Sequence, residues 1–490
     1  MNAYIKRFSA VAVATVALTL GSCSSLLEVK PQLQVDAQTA LSTPDGLDGA
    51  LNGVYDRLQS LRVYGRDLIA IPEALADNGR ATNKSGRLNA EYRNNLQSHF
   101  ANWTTAYFAI NQANLVLENI PRVFTGTDQT TVTRRNGIEG QAQFLRALLY
   151  FDLMRAYAYE PGVEVAAQNR GGVPLLLTGV LDQSQVTLPA RASIEEVYTQ
   201  IYKDLNEAST KLTNTQAPAY ATQASALALL SRVALYRKDY ATAVKAATDA
   251  LATNVGRFLD QSSYIGGWRS ARHPESIFEL VYTIPENTGV NESLQTTYTT
   301  LVELGNRART GGFGDLVPTA SLLADLESER ASATAPVPDI RRQLYELGTT
   351  GRGTAEIECT KFLGKNGTVN LDNIPLIRVS ELYLNRAEAN AMLGNDAAAL
   401  TDVNAIRTRS GLTARTVLTG APLLTEILKQ RRIEFAFEGH RWFDLKRRGQ
   451  DIVKTGAGVT TVPYTDIRIL ANIPVNELQT NRNIRQNAGY

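Results

Sequence analysis

Cysteine is almost missing from this chain: 490 residues hold two, Cys23 and Cys359. If Cys23 is a site of lipidation, as argued below, Cys359 has no partner. No intramolecular disulfide framework then supports the fold, and stability must come from packing. Cys359 reads as a plain buried or half-buried thiol. Histidine is nearly as scarce. His99, His273 and His440 are far apart, and none sits in an HExxH or similar spacing, so a histidine-built metal centre has no foundation. No GxSxG elbow occurs, and no metal or cofactor is expected. An excess of one charge is missing too: 50 Lys and Arg face 48 Asp and Glu. Loss of Lys6 and Arg7 with a leader would make the balance even. Without a basic stripe, nucleic acid is not an expected partner.

The leader is the first positive signal. Lys6 and Arg7 precede Phe8–Leu20, 13 mainly apolar residues, a run too short to span a bilayer but suited to an export signal over residues 1–22. Leu20-Gly21-Ser22-Cys23 resembles a bacterial lipobox, in which the cysteine is lipidated and becomes the first residue. The other reading is an ordinary signal peptide cut nearby. Several acyl chains on Cys23 would anchor the chain firmly to a membrane. Residues 23–43 then form a tether and arm.

Residues 379–449 organise the rest. Tyr383, Ala387 and Ala391 fall on one helical stripe, Leu393-Gly394-Asn395 stops that helix, and Ala399, Val403 and Ile406 give a second stripe. Upstream, Ala226, Leu230 and Ala234, a turn at Arg237-Lys238-Asp239, then Ala243, Ala247 and Ala250 repeat the spacing. Two matched Ala-striped hairpins favour tetratricopeptide-like repeats over an unrelated pair. Downstream, Arg431, Arg432, Glu434, Glu438, Arg441 and Asp444 interleave with Ile433, Phe435, Phe437, Trp442 and Phe443. A helix that mixes charges with large aromatics in this way buries ion pairs most cheaply when Arg forks onto carboxylate. Arg432, Glu434, Glu438, Arg441 and Asp444 are therefore expected to form a structural ion network. An acid–base site around His440 is the weaker reading, since no partner base stands at fixed spacing.

These residues also carry a resemblance. Arg432-Ile433-Glu434, Phe437-Glu438-Gly439-His440-Arg441 and Asp444-Leu445 resemble the C-terminal signature of the SusD/RagB family of outer-membrane nutrient-uptake lipoproteins. Arg378–Glu388 is similar to the family's preceding helix, and Ile473-Pro474 to Glu477 with Gln486–Tyr490 to its usual ending. Phe144-Leu145-Arg146-Ala147 with Tyr150 resembles its first repeat. Here the chain departs from the pattern: residues 158–171 are inserted before Gly172-Val173-Pro174-Leu175.

The expected fold is mostly α: tetratricopeptide-like helical-hairpin repeats forming an α–α superhelix, with a loop-rich irregular subdomain and a few short strands. Residues 44–255 would hold the first repeats, 256–375 the irregular ligand-side part and 376–490 the C-terminal helices. Helices are expected at 44–60, 103–120, 138–157 and 194–212, the last opened by a Ser193/Glu196 capping box. Ser276–Ile284 reads as a strand. Pro318–Leu326 and Asp339–Tyr345 look helical.

Residues 77–99 are polar and stripeless, an expected loop of about twenty residues, and such long loops usually serve function. The family resemblance implies that a loop here lines the ligand site, making Asp77, Asn78, Arg80, Arg87, Tyr92 and Arg93 candidates. Sugars in water are held by aromatic faces and planar hydrogen-bonding groups, so Tyr264, Trp268 and Tyr298 join them. The resemblance implies a surface lipoprotein of the outer membrane that captures an oligosaccharide, or alternatively a peptide, for a SusC-like TonB-dependent transporter, acting as its lid. It implies binding rather than catalysis. A surface glycan hydrolase would need only two carboxylates, but no pair stands out.

Overall fold

The computed structural model describes residues 37–490 except 366 and 457; the leader and Cys23 lie outside the described residues. Pro44–Leu58 opens the helical stack. Thr43 caps it by accepting from the Gly46 N–H, and Pro44 sits in the first turn, where no donor is missed. Its Leu47, Leu51, Val54 and Leu58 are buried, against Trp103–Val123. From there each helix lies against the next: Gln129–Tyr157, Ile194–Lys211, Gln223–Arg237, Tyr240–Ala252, Val379–Met392 and Asp396–Arg409. The fold is mostly α, built as a stack of helical hairpins.

Local chemistry sets the ends of these helices. Gln129–Tyr157 begins earlier than its apolar pattern predicts, because Asp128 caps a polar first turn by accepting from the Thr131 N–H at 3.0 Å. The expected capping box closes: Ser193 N–H donates to Glu196 Oε2 at 2.7 Å and Glu196 N–H to Ser193 Oγ at 3.1 Å. Lys238, at φ +63°, turns the chain out of Gln223–Arg237, and Gly394, at φ +79°, follows Val379–Met392. Small side chains let the helices approach. Ala234, Leu235, Ala243 and Ala389 form a small buried cluster between the two hairpins that look alike in sequence.

Tyr240–Ala252 packs directly on Val379–Met392. The residues between them therefore leave the stack and return beside their point of departure. Strand Ser276–Leu280 pairs antiparallel with Ile374–Arg378 and seals that return. Two further ribbons pair Gly79–Ala81 with Leu316–Pro318 and Tyr345–Leu347 with Ile357–Cys359. Cys359 is buried, and burial pushes its thiol up to about 12. Within the 158–171 insertion, buried Glu160 accepts from Tyr198 Oη at 2.6 Å and meets Lys446 Nζ at 3.4 Å.

Three expectations change. Residues 77–99 are not one unstructured loop but include the strand Gly79–Ala81 and a short helix, Asn89–Tyr92. Asp339–Tyr345 supplies only a 3-10 turn, Ile340–Leu344. The charged aromatic segment is two helices, Gly420–Glu434 and Arg441–Lys446, parted by Phe437 at φ +66° and Gly439 at φ +82°. Glycine is required at 439, since a Cβ there would stand 2.5 Å from the Leu68 carbonyl oxygen, and its N–H donates to Glu73 Oε1 at 3.0 Å.

That break lets the charges converge. Arg378 reaches Glu275 at 2.9 Å, Glu434 at 3.3 Å and Glu438 at 2.8 Å. Arg409 bridges Glu275 and Glu434 at 3.2 and 2.7 Å. Arg341 joins Asp339 and Glu434, and Lys361 closes on Glu438 at 2.6 Å. Cations and anions in this buried lattice balance one for one. A second group sets Arg431 and Arg447 on Asp444, with Arg447 also on Glu388. Burial alone would raise the Glu434 carboxyl, but Arg409, Arg378 and Arg341 outweigh it and hold the group well below the usual carboxylate range. Arg431 and Arg447 hold Asp444 low against burial in the same way.

Removing one partner of such a pair leaves charge buried and unanswered. Glu434→Gln should therefore lower the free energy of unfolding by about 3–5 kcal/mol at pH 7. A carboxyl held low in the fold stabilises it fully above its unfolded value and loses that contribution as pH falls through the folded one. The gap between wild type and variant should accordingly narrow below about pH 4, read by urea titration. A gap that does not depend on pH would remove the lattice from this role.

Candidate functional site

The 77–99 segment is held from beneath by the end of the chain. Arg441 grips Asp77 through two bonds of 2.6 and 2.8 Å, and Arg432 adds a contact at 3.3 Å. These guanidiniums outweigh burial and hold the Asp77 carboxyl low. Asn78 is fully buried, donating to Glu73 at 3.0 Å and accepting from Arg432 Nε at 2.8 Å. Asp77 and Asn78 thus form a pedestal, their side chains committed to protein partners. The five charged residues expected to form a network are all ion-paired; Arg441 spends its charge on this pedestal, and Arg432 divides its own between Asp77 and Asp325.

Above it the strand Gly79–Ala81 runs beside Leu316–Pro318, so the segment meets the glycine-rich turn before Leu316. Thr82 N–H donates to the Asp315 carbonyl at 2.9 Å, and Thr82 Oγ1 to the Gly314 carbonyl at 2.7 Å. Arg87 Nε reaches Asp315 Oδ2 at 3.0 Å, and Ser85 also bonds that carboxylate. Buried Glu358 ties the far side: it takes the Thr300 N–H at 2.7 Å, both threonine hydroxyls of Thr299–Thr300, and Lys84 Nζ at 3.1 Å. Phe313, half-buried, is the aromatic centre of this face. The guanidinium carbons of Arg87 and Arg352 lie 4.3 and 4.2 Å from its ring centroid. Arg80 pairs with Glu356 at 2.9 Å, both partly exposed.

Of the candidate residues, the structure brings Arg80 and Arg87 onto this face. Arg93 is exposed. Tyr92 is buried beneath Lys454, whose ammonium sits 4.9 Å from its ring centroid. Burial takes that lysine down to about 7. The three aromatics expected as sugar platforms point the other way. Tyr264 is fully buried with Arg409 at 4.2 Å from its ring, Trp268 lies between Lys361 and Arg378, and Tyr298 packs edge-on against Phe437 at 4.9 Å. Tyr264 and Trp268 are core with lattice cations against their rings, and Tyr298 is core among Phe362 and Phe437. His440 stacks on Phe435 at 4.6 Å, and burial with the surrounding Arg232, Arg431 and Arg155 keeps its imidazole well below the usual range.

Sequence reading left out Phe313, Arg352 and Glu358. Phe313 stands in a glycine run with no periodicity to mark a face, and Arg352 in a polar turn. Their relation exists only through the pairing of strands far apart in the chain.

A family model described as "SusD family" matches residues 349–490, and one described as "Starch-binding associating with outer membrane" matches residues 25–235. The chain is 25% identical to SusD-like protein P38 of Formosa agariphila, covering 99% of this chain and 100% of that protein. It is 36% identical over 128 residues to starch-binding protein SusD of Bacteroides thetaiotaomicron, covering 24% of this chain and 22% of that one. Among solved structures it resembles a putative sugar binding protein from Bacteroides vulgatus, with TM-score 0.78 and 26% identity over 92% of this chain and 100% of the other. A SusD superfamily protein from Bacteroides thetaiotaomicron gives TM-score 0.78 and 28% identity over 91% and 99%.

The turn that carries Phe313 is crowded. A Cβ on Gly312 would stand 2.0 Å from the Thr299 carbonyl oxygen, a backbone atom that cannot swing aside. Gly312→Ala should cost about 1–3 kcal/mol and speed amide exchange across residues 300–315, measured by mass spectrometry. Unchanged exchange would show that the turn does not depend on this contact.

Proposed function

We propose that this chain, a member of the SusD/RagB family of binding proteins that associate with the outer membrane, captures an oligosaccharide at the cell surface and passes it to a SusC-like TonB-dependent transporter, acting as its lid. One observation supports this reading above others: a ring bearing two guanidiniums is mounted on a frame tied down by ion pairs and strand pairing. Planar donors of this kind make paired hydrogen bonds to vicinal hydroxyls, and Arg352, which is exposed, is free to exchange the Phe313 ring for a sugar. A site held in place before binding spends little affinity on ordering itself. Attachment through a lipidated Cys23 would keep the protein beside its transporter.

The role needs binding and hinged motion and no bond-making chemistry. Affinity electrophoresis in gels cast with amylopectin, laminarin or xylan, beside a peptide panel, tests the reading. Retention by at least one polysaccharide is expected, and Arg87→Ala with Arg352→Ala should weaken it about tenfold, roughly 1.4 kcal/mol. Retention by peptides alone would assign the uptake role to peptides; release of reducing ends from any glycan would make the protein an enzyme. In cells, Cys23→Ala should move the protein from the membrane to the soluble fraction. Unchanged membrane association would dismiss the anchor.

A further inference from the structure

A second concavity lies outside the face just described, where the C-terminal end of Pro44–Leu58 meets the segment before Gln223–Arg237 and the end of strand Ser276–Leu280. Its volume is about 330 Å³, at the lower end of the roughly 300–1,000 Å³ of small-molecule sites. Asn52, Asp56, Tyr220, Arg272 and Glu286 are among its lining residues. Tyr220 is an aromatic displayed and not buried, 38% exposed. Its ring is fixed by an edge contact with Tyr55, centroids 5.2 Å apart at 82°. Tyr55 is itself locked, donating to Gln141 Oε1 at 2.8 Å and accepting from the Ala221 N–H at 2.9 Å. The backing of the platform is therefore rigid.

The polar groups around that ring are also placed. Gln59 is committed, its amide donating to the Val281 carbonyl at 2.9 Å, which fixes the floor between helix and strand. Glu286 is oriented by the Thr283 N–H and hydroxyl at 2.6 and 2.7 Å on one of its oxygens, leaving the other to accept. Asn52, Asp56 and Arg272 are exposed at the rim. A fixed aromatic with planar amide, carboxylate and guanidinium groups around it is the chemistry that holds a pyranose: C–H bonds on the ring, vicinal hydroxyls on the planar groups. The concavity has too many polar groups for an apolar guest, and it offers both donors and acceptors and so does not select an anion.

We propose that this groove is a second carbohydrate-binding site, with Tyr220 as its stacking platform and Asn52, Asp56, Arg272 and Glu286 as its hydroxyl-binding groups. The inference rests on the carbohydrate reading above and adds to it. Chain connectivity relates the two sites. Glu286 is in this groove, and the Asn291 carbonyl accepts from Arg87 beside Phe313. The five steps of chain from residue 286 to residue 291 span at most about 18 Å, a distance that one extended oligosaccharide can cover. Two sites in reach of one chain give effective concentrations that raise avidity beyond either site alone.

The test uses the full mature chain in gels cast with amylopectin, laminarin or xylan, comparing wild type with Tyr220→Ala, Tyr220→Phe and Arg272→Ala. Thermal melts of each variant report folding, and Tyr220→Phe keeps the platform if Tyr220→Ala proves unstable. Expected is a loss of retention of about tenfold in Tyr220→Ala and a smaller loss in Arg272→Ala, with Tyr220→Phe near wild type. Wild-type retention with Tyr220→Ala and Arg272→Ala unchanged would overturn the groove and leave the carbohydrate reading standing. No wild-type retention in any gel would overturn both.

Discussion

The structure depends on a balanced set of charges buried where its helical stack meets its irregular part. Glu275, Glu434, Glu438 and Asp339 face Arg378, Arg409, Arg341 and Lys361. Taking these groups out of water costs several kcal/mol each, and the cost is offset only when geometry is good and the remaining lone pairs are satisfied. The aromatics interleaved with them, Tyr264, Trp268 and Phe435, serve that end, presenting ring faces to guanidinium groups. Such a lattice adds little or no net stability over an apolar core of the same volume. Its value is directional. Each guanidinium accepts few arrangements of its neighbours, so the pairs fix which segments meet and in what register.

Everything on the candidate face is referred to that lattice. Arg432 and Arg441 continue it outward to Asp77 and Asn78, the strand after Asn78 pairs with Leu316–Pro318, and that pairing sets Arg87 against Phe313. The helical hairpins supply a stiff back; the excursion between Tyr240–Ala252 and Val379–Met392 supplies the surface. Two of its glycines stand where backbone passes close to backbone, Gly312 against Thr299 and Gly364 against Thr368.

The helical part was legible in the sequence because period and caps act locally. Alanine stripes predict close helix contact, and Ala234 meets Ala389 across hairpins far apart in the chain. Ser193 and Glu196 bond as their spacing requires. The ion pairing was legible as chemistry, since Arg and Glu among Phe and Trp have few other ways to be buried. Their partners were not: nothing in the sequence around Glu434 names Arg341, Arg378 or Arg409. The aromatics failed for the same reason. Tyr264, Trp268 and Tyr298 lie in polar, glycine-rich surroundings that suggest display, yet distant cations meet the first two inside and Phe362 and Phe437 the third. Tyr220 beside Pro218 and Phe313 between glycines gave no periodic signal, although both rings stay accessible.

The contact between Asp77 and Arg441 joins residues 364 positions apart, and it imposes an order of events. A polypeptide emerging amino end first holds Asp77 and Glu275 without counterions until most of its length has followed, so its early helices can associate while its interior stays hydrated. Products ended prematurely before residue 441 would be left open and exposed to proteases. Only a complete chain can dry its centre, and the fold thereby distinguishes finished molecules from unfinished ones before either is put to use.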